Sequence, residues 1–282
     1  MRQSKKRWAV MMLAACLLGP VAGQAKEWSS VKIATEGTYE PWNLTLPGGA
    51  LGGFEPELMA VLCQRMSLKC DIQVQNWDGM IASLNAGKFD VLMDAIVITD
   101  ERKGVMAFSV PYARTPASFA AMDAKLLPGT PGKAGVLTLN NDPAQIKPAV
   151  EALRKALDGK TIGIASGTVY TPFIDEYFKD VATVREYSTS ADAILDLSAG
   201  RIDVVFDDVT FLNATMEKPD SKGLAYTGPE IAGPVWGEGE GLGFRKADAD
   251  LRARFDEALK GAIADGTVKR LSEKWFKVDL TP

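Results

Sequence analysis

Phe89-Asp-Val-Leu-Met-Asp-Ala-Ile-Val-Ile-Thr-Asp-Glu-Arg102 decides how the rest of the chain is read. Its centre, Val91-Leu92-Met93, has the unbroken apolarity of a strand covered on both faces, and it follows a helical stretch, 78–86, capped by Gly87. A helix feeding a buried strand is one piece of an α/β layer. In such sheets ligands sit beyond the carboxyl ends of the strands, where Asp94 and Arg102 fall. Arg102 then reads as an anchor for a carboxylate. The run Asp100-Glu101-Arg102-Lys103 also reads as a solvated charge cluster on a surface turn, and this segment alone weighs the two readings equally.

The same grammar recurs downstream. Leu84-Asn-Ala-Gly-Lys-Phe-Asp-Val-Leu-Met-Asp94 matches Leu197-Ser-Ala-Gly-Arg-Ile-Asp-Val-Val-Phe-Asp207: a helix end, a glycine, and an apolar strand closing on an acid. Ala34-Thr-Glu-Gly-Thr-Tyr-Glu-Pro-Trp42 matches Ala165-Ser-Gly-Thr-Val-Tyr-Thr-Pro-Phe173 in the same order. A glycine after a helix is ordinary capping chemistry. Two matched segments in one order instead point to two similar α/β units that make a cleft where they face each other.

Periodicity predicts strands near 31–35, 71–75, 89–96, 117–122, 161–165, 182–187, 202–208, 224–228 and 241–245. Helices are predicted near 55–68, 78–86, 145–157, 170–178, 190–199, 209–217, 248–264 and 267–276. Alternation of this kind implies predominantly parallel sheets with helices on both faces. The Pro/Gly-rich stretch 127–148 reads as a surface excursion of the second unit.

The chain opens on Arg2, Lys5, Lys6 and Arg7, continues with an apolar run from Trp8 to Leu18, and reaches small residues at Gly23-Gln24-Ala25. This is the pattern of a secretory signal peptide, with cleavage expected after Ala25; a lipoprotein box at Leu13-Ala14-Ala15-Cys16 is the second-ranked reading. Cleavage removes four basic residues and no acid, leaving 28 basic against 36 acidic residues in about 257. That length suggests two lobes rather than one core. No basic stripe exists to displace counterions, so nucleic acid is not an expected partner. Cys63 and Cys70 remain, and in an exported protein they are expected to pair as a disulfide, metal binding being the weaker alternative. The chain has no histidine, which removes the commonest general base and the histidine-activated nucleophiles.

Glu36, Tyr39, Trp77, Asp94, Asp207 and Asp208 collect with Arg102 at predicted strand ends. A guanidinium holds a carboxylate through two parallel hydrogen bonds, a carboxylate holds an ammonium, and aromatic faces sandwich an alkyl or guanidinium stem. A small amino-acid-like ligand uses all three. The Ser166-Gly167-Thr168 turn adds backbone amides at a helix start.

Gly53-Phe-Glu-Pro-Glu-Leu58, Asn76-Trp-Asp-Gly79, Ile98-Thr-Asp-Glu-Arg102 and Phe108-Ser109 resemble signature blocks of the periplasmic substrate-binding proteins of the polar amino acid uptake family. The resemblance covers the whole mature chain and is nearest to the nopaline and octopine binders, then to the lysine/arginine/ornithine binders. It implies an α/β, two-lobed periplasmic binding protein fold of type II, with two doubly wound sheets joined by a two-strand hinge. Lobe 1 is expected over 26–114 and 235–282, and lobe 2 over 115–234 with a family-specific insertion around 125–158. Hinges are expected near 113–117 and 233–240. The Cys63–Cys70 pair is similar to the disulfide of the basic amino acid binders.

The implied function is capture of an amino acid or opine in the periplasm by a monomer that delivers it to the membrane permease of an ABC transporter, with no cofactor, no metal and no catalysis. A dehydratase-like enzyme on the same fold and a sensory module are the alternatives. By position, the resemblance puts Arg102 on the ligand carboxylate and Asp208 on its ammonium, Tyr39 and Trp77 on the stem, and Glu36 on a distal cation, with Gly167 and Thr168 contributing from lobe 2. Ala95 completes the strand-end set. Val97 and Val169 stand where the family offers hydroxyls, Ala165 where longer side chains reach in, and Asp94 where a small neutral residue is usual. A ligand more cationic than a neutral amino acid is expected, with Asp94 and Asp208 as two acids able to share a proton beside its ammonium.

Overall fold

A computed structural model describes residues 27–129, 137–138 and 143–282. The expected signal peptide and Cys16 lie outside these residues. Lobe 1 begins with β1 (Ser30–Thr35), the short ribbon β2 (Thr38–Tyr39), β3 (Asn43–Thr45) and β4 (Leu51–Gly52), then α1 (Phe54–Met66), β5 (Lys69–Val74) and α2 (Met80–Asn85). It continues through β6 (Val91–Leu92), α3 (Asp100–Val105) and β7 (Ala107–Phe108). The chain then crosses to β8 (Ala117–Ala121), β9 (Leu137–Thr138), α4 (Pro143–Leu157), β10 (Thr161–Ala165), α5 (Tyr170–Tyr177), β11 (Thr183–Tyr187), α6 (Ser190–Ser198), β12 (Val204–Asp208), α7 (Val209–Met216) and β13 (Ala225–Ala232). It returns for β14 (Gly243–Phe244), α8 (Ala249–Ala264) and α9 (Thr267–Phe276).

The two sheets have strand orders β5-β1-β6-β14-β7 and β11-β10-β12-β8-β13-β9. In each, the first three strands run parallel, with the earliest in the middle, and the next is antiparallel. β1, β5 and β6 therefore correspond to β10, β11 and β12, and the matched sequence segments end the corresponding strands. Each sheet buries its own core: Ile33, Trp42, Phe54, Leu58 and Phe255 in one, Phe119, Phe173, Phe178, Phe206 and Trp236 in the other. α1 shows how: Phe54, Leu58, Met59, Leu62 and Cys63 recur at helical spacing on its buried face, and Ser67 ends it in a left-handed conformation.

Three expectations change. The strand expected over 89–96 is short, because Ala95 at φ 45 turns the chain out of the sheet. Arg102 lies in a six-residue helix capped by the Thr99 side chain rather than in a turn. The 127–148 stretch is more than a surface excursion: β9 adds to the sheet beside β13, and α4 buries Ile146, Leu153 and Leu157 in the lobe 2 core.

Cys63 and Cys70 are bonded, tying the end of α1 to β5 with Cα atoms 6.2 Å apart. Closing so short a loop in the unfolded chain is worth about 2.5 kcal/mol by loop entropy. The Cys63→Ser/Cys70→Ser double variant is expected to lose that much unfolding free energy, read from urea curves, and to lose its sensitivity to reductant.

The chain passes between sheets over 109–116 and 233–242. These segments are laced together: Tyr112 N donates to Glu240 O (2.9 Å) and Glu240 N to Ala113 O (3.0 Å). The second segment also joins the loop after β6, where Ile98 N donates to Gly239 O (2.8 Å) and Gly241 N to Ile96 O (2.9 Å).

Candidate functional site

The strand ends of the two sheets face each other across a cleft of about 520 Å³. Glu36, Tyr39, Trp77, Asp94, Ala95, Val97 and Arg102 line it from lobe 1, and Ala165 and Thr168 from lobe 2. The lobes touch across it. Tyr39 Oη donates to Asp207 Oδ1 (2.7 Å), Trp77 Nε1 to Ser166 O (3.0 Å), and Arg102 Nη2 to Gly167 O (3.2 Å). Tyr39 also stacks on Phe211, ring centroids 5.0 Å apart, so one side chain packs with both lobes.

Arg102 is aimed by its short helix. Its Nη1 donates to Val97 O (3.0 Å), and its guanidinium carbon lies 5.5 Å from the Trp77 ring centroid. Burial lowers its pKa to about 10, which leaves it cationic at neutral pH. Carbonyl oxygens do not neutralise it. Of the residues lining the cleft it is the one cation, beside three acids, Glu36, Asp94 and Asp207.

Those acids are held against their preference. Burial, with Asp207 and Glu55 nearby, raises Glu36 to about 7, although the Thr38 hydroxyl (3.1 Å) opposes the shift. Burial raises Asp207 to about 6. Asp94 is pushed up by burial and by Glu36 and Glu55. Its Oδ1 accepts from the Glu36 amide (3.0 Å), Asn43 Nδ2 (3.0 Å) and the Thr35 hydroxyl (3.3 Å). Beneath it, Glu55 accepts from Asn43 Nδ2 (2.9 Å), the Ala95 amide (2.7 Å) and Tyr112 Oη.

Asp208 does not line the cleft. Its Oδ1 caps α7, accepting from the amides of Thr210 (2.7 Å) and Phe211 (3.4 Å), and its Oδ2 meets the Thr115 hydroxyl. The acid at the cleft surface is its neighbour Asp207. Asp94 and Asp208 accordingly do not form the expected pair: Asp94 is influenced by Glu36 and Glu55 in lobe 1, whereas Asp208 shares Thr115 with Glu240. Gly167 is present through its carbonyl, on Arg102, rather than as an amide donor.

Val169, Tyr170, Ser188 and Ser190 complete the lining. Tyr170 was legible in the duplication, where it occupies the place of Tyr39. Ser188 and Ser190 follow β11 as Trp77 follows β5. Among the described residues no group of three or more acids or cysteines is arranged to hold a metal ion, and no helix is long and apolar enough to cross a membrane.

The profile of the bacterial extracellular solute-binding proteins, family 3, matches residues 31–278. The chain belongs to this family. This solute-binding protein is 42% identical over 281 residues to the octopine-binding periplasmic protein of Rhizobium meliloti, with 93% of this chain and 95% of that one covered. It is 30% identical over 253 residues to the L-arginine-binding protein of Pseudomonas aeruginosa, with 89% of each covered. Among solved structures, a periplasmic His/Glu/Gln/Arg/opine family-binding protein from Silicibacter pomeroyi in complex with lysine matches with a TM-score of 0.72 at 29% identity, over 89% of this chain and 99% of that one. The two-lobed α/β architecture is that of the type II periplasmic binding proteins.

Proposed function

We propose that this solute-binding protein captures a cationic amino acid, or an opine-like derivative of one, in the periplasm and hands it unchanged to the permease of an ABC transporter. The observation that carries the reading is the single, half-buried arginine in a cleft that otherwise presents three acids and three aromatic side chains. Arg102 holds the ligand carboxylate through its two-pronged donor edge. Asp207, with Asp208 behind it, faces the ammonium. Tyr39 and Trp77 cover the aliphatic stem, and Glu36 meets a distal cation. The two crossing segments act as the hinge: a ligand that touches both walls favours the closed arrangement because only that arrangement offers both sets of contacts.

Binding rather than turnover is favoured by the chain's likeness to octopine-binding and L-arginine-binding proteins. A dehydratase on this fold needs an acid or base poised against a substrate, and Glu36, Asp94 and Asp207, all raised by burial, are the candidates. Recovery of chemically intact ligand after prolonged incubation separates the two readings.

Native mass spectrometry of freshly purified protein, followed by calorimetry with arginine, ornithine, lysine and histidine, tests the ligand class. Its pH dependence has a definite sign. Glu36 and Asp207 are raised above their unfolded values, so in the free protein they contribute stability that is complete below about pH 4 and lost as pH rises through about 6 to 7. A cationic ligand pairs with their ionised forms and displaces their protons. Arginine affinity is therefore expected to increase from pH 5 to pH 8, with proton release visible as a buffer-dependent heat; affinity that falls over this range would contradict the assignment.

A further inference from the structure

We propose that Asp94, backed by Glu36, is the selectivity residue of this cleft: it holds a second cationic group on the ligand and turns away ligands that carry a second carboxylate. The inference rests on the amino acid reading above and narrows it to the free cationic amino acids, since an opine carries a second carboxylate.

Asp94 is built as a fixed acceptor. It stands at the end of β6 with all three of its donors on Oδ1, from β1, from the residue after it and from β3. Three donors on one oxygen set the carboxylate plane, and among the described residues no donor reaches Oδ2. The side chain is buried, yet it lines the cleft. A carboxylate so oriented is a ready partner for an incoming N–H, and an ionised group in such a place requires a counter-charge.

The protein supplies none. From β1 and the loop after it Asp94 meets Thr35 and Glu36, from β3 Asn43, from α1 Glu55, and from the first crossing segment Tyr112 lies within its field. Across the cleft stands Asp207, another acid. The cation on the lining is Arg102, which one carboxylate suffices to match. With Glu36, Asp94 and Asp207 ionised against it, the lining carries two uncompensated negative charges. A ligand with one carboxylate, an ammonium and a side-chain cation offsets one of those charges, and a proton kept by one of the acids offsets the other. A second carboxylate faces like charges in a low-dielectric site, or must take up a proton to enter. Val97, Ala165 and Val169 offer it no hydrogen-bond donor from their side chains.

Three probes separate the terms: arginine, citrulline, which removes the side-chain charge at nearly constant shape, and octopine, which adds a second carboxylate to arginine. The wild-type protein is expected to bind arginine about a hundredfold more tightly than either of the others at pH 7, the scale of one close buried charge pair. Asp94→Asn keeps the size of the side chain and an acceptor for its three donors. In that variant the arginine preference over citrulline should shrink at least about tenfold, octopine should gain, citrulline should stay within a factor of about 3, and the rise of arginine affinity with pH should flatten. Asp94→Ser serves as a second variant, with the melting temperature of each showing that it is folded. A merely structural role would weaken all three probes alike and leave the pH profile in place.

If Asp94→Asn leaves the ratios among the three probes unchanged, or if octopine binds the wild type as tightly as arginine, the selectivity role is wrong while the amino acid reading stands. If none of the three binds, the amino acid reading fails, and this inference with it.

Discussion

Replacing Arg102 by alanine is expected to weaken arginine binding by about a thousandfold, or ~4 kcal/mol, the upper range for removing one partner of a buried, hydrogen-bonded charge pair. The guanidinium spends one donor on Val97 O in its own lobe and one on Gly167 O across the cleft, leaving three of its five for the ligand. Its removal subtracts the anchor and leaves three acids around a carboxylate, so the loss exceeds that of a neutral hydrogen bond. Arg102→Lys restores the charge without the fork and should recover only part of the affinity. Calorimetry with arginine checks both; an Arg102→Ala protein that binds within tenfold of the wild type would remove Arg102 from its assigned role.

The second large effect lies away from the cleft. Gly237 sits in the returning crossing segment at φ +78, and a Cβ built there would lie 2.1 Å from the carbonyl oxygen of Ile98. Gly237→Ala therefore adds the strain of a positive-φ, extended conformation (ψ −146) that is essentially reserved for glycine, roughly 1–3 kcal/mol, to a backbone collision that no side-chain rotation relieves. The displaced carbonyl also accepts from Glu238 N (3.0 Å), a bond worth about 1 kcal/mol. A total loss of roughly 3 kcal/mol in unfolding free energy is expected. Gly87 is the control: it too has positive φ, 76, but open space around its added Cβ, so Gly87→Ala should cost only about 1 kcal/mol. Denaturant curves for the two variants separate collision from strain. Ile98 lies between Val97, on the cleft, and Thr99, which caps the helix carrying Arg102, so Gly237→Ala should also reduce arginine affinity.

Much of the architecture was readable because it is written twice. Asp94 and Asp207 end corresponding strands, and the same alignment places Tyr170 opposite Tyr39, a cleft residue that strand-end reasoning alone passed over. What could not be read came from short, locally determined features. α3 has no periodic apolar face and contains Gly104; it exists because the Thr99 side chain accepts from Arg102 N. β2 to β4 are two or three residues each, below the length at which alternation signals a strand. The choice between Asp207 and Asp208 turns on where α7 starts. An aspartate immediately before Val-Thr-Phe is a natural N-cap, and a residue engaged in capping is withdrawn from the cleft. The two sheets are predominantly parallel, as expected, but the strand that follows each crossing, β8 or β14, runs the other way because a segment that leaves one lobe and enters the other approaches its new sheet from the opposite end.

Thr115 has one hydroxyl hydrogen and stands between two buried acids, Asp208 of lobe 2 and Glu240 of the returning segment, whose Oε1 is 2.8 Å away. One hydrogen cannot serve two carboxylates, so one of them carries its own. Burial and the neighbouring Asp208 raise Glu240 to about 8, which makes it the protonated member and orients the row from Glu240 through Thr115 to Asp208. The seam where the chain changes lobes thus carries one negative charge instead of two, the other removed by a bound hydrogen ion rather than a basic side chain. In a strongly acidic protein without histidine, that lets the crossing accommodate two acids side by side in neutral surroundings, and it sets an alkaline limit, near pH 8, above which the seam loses the proton that reconciles them.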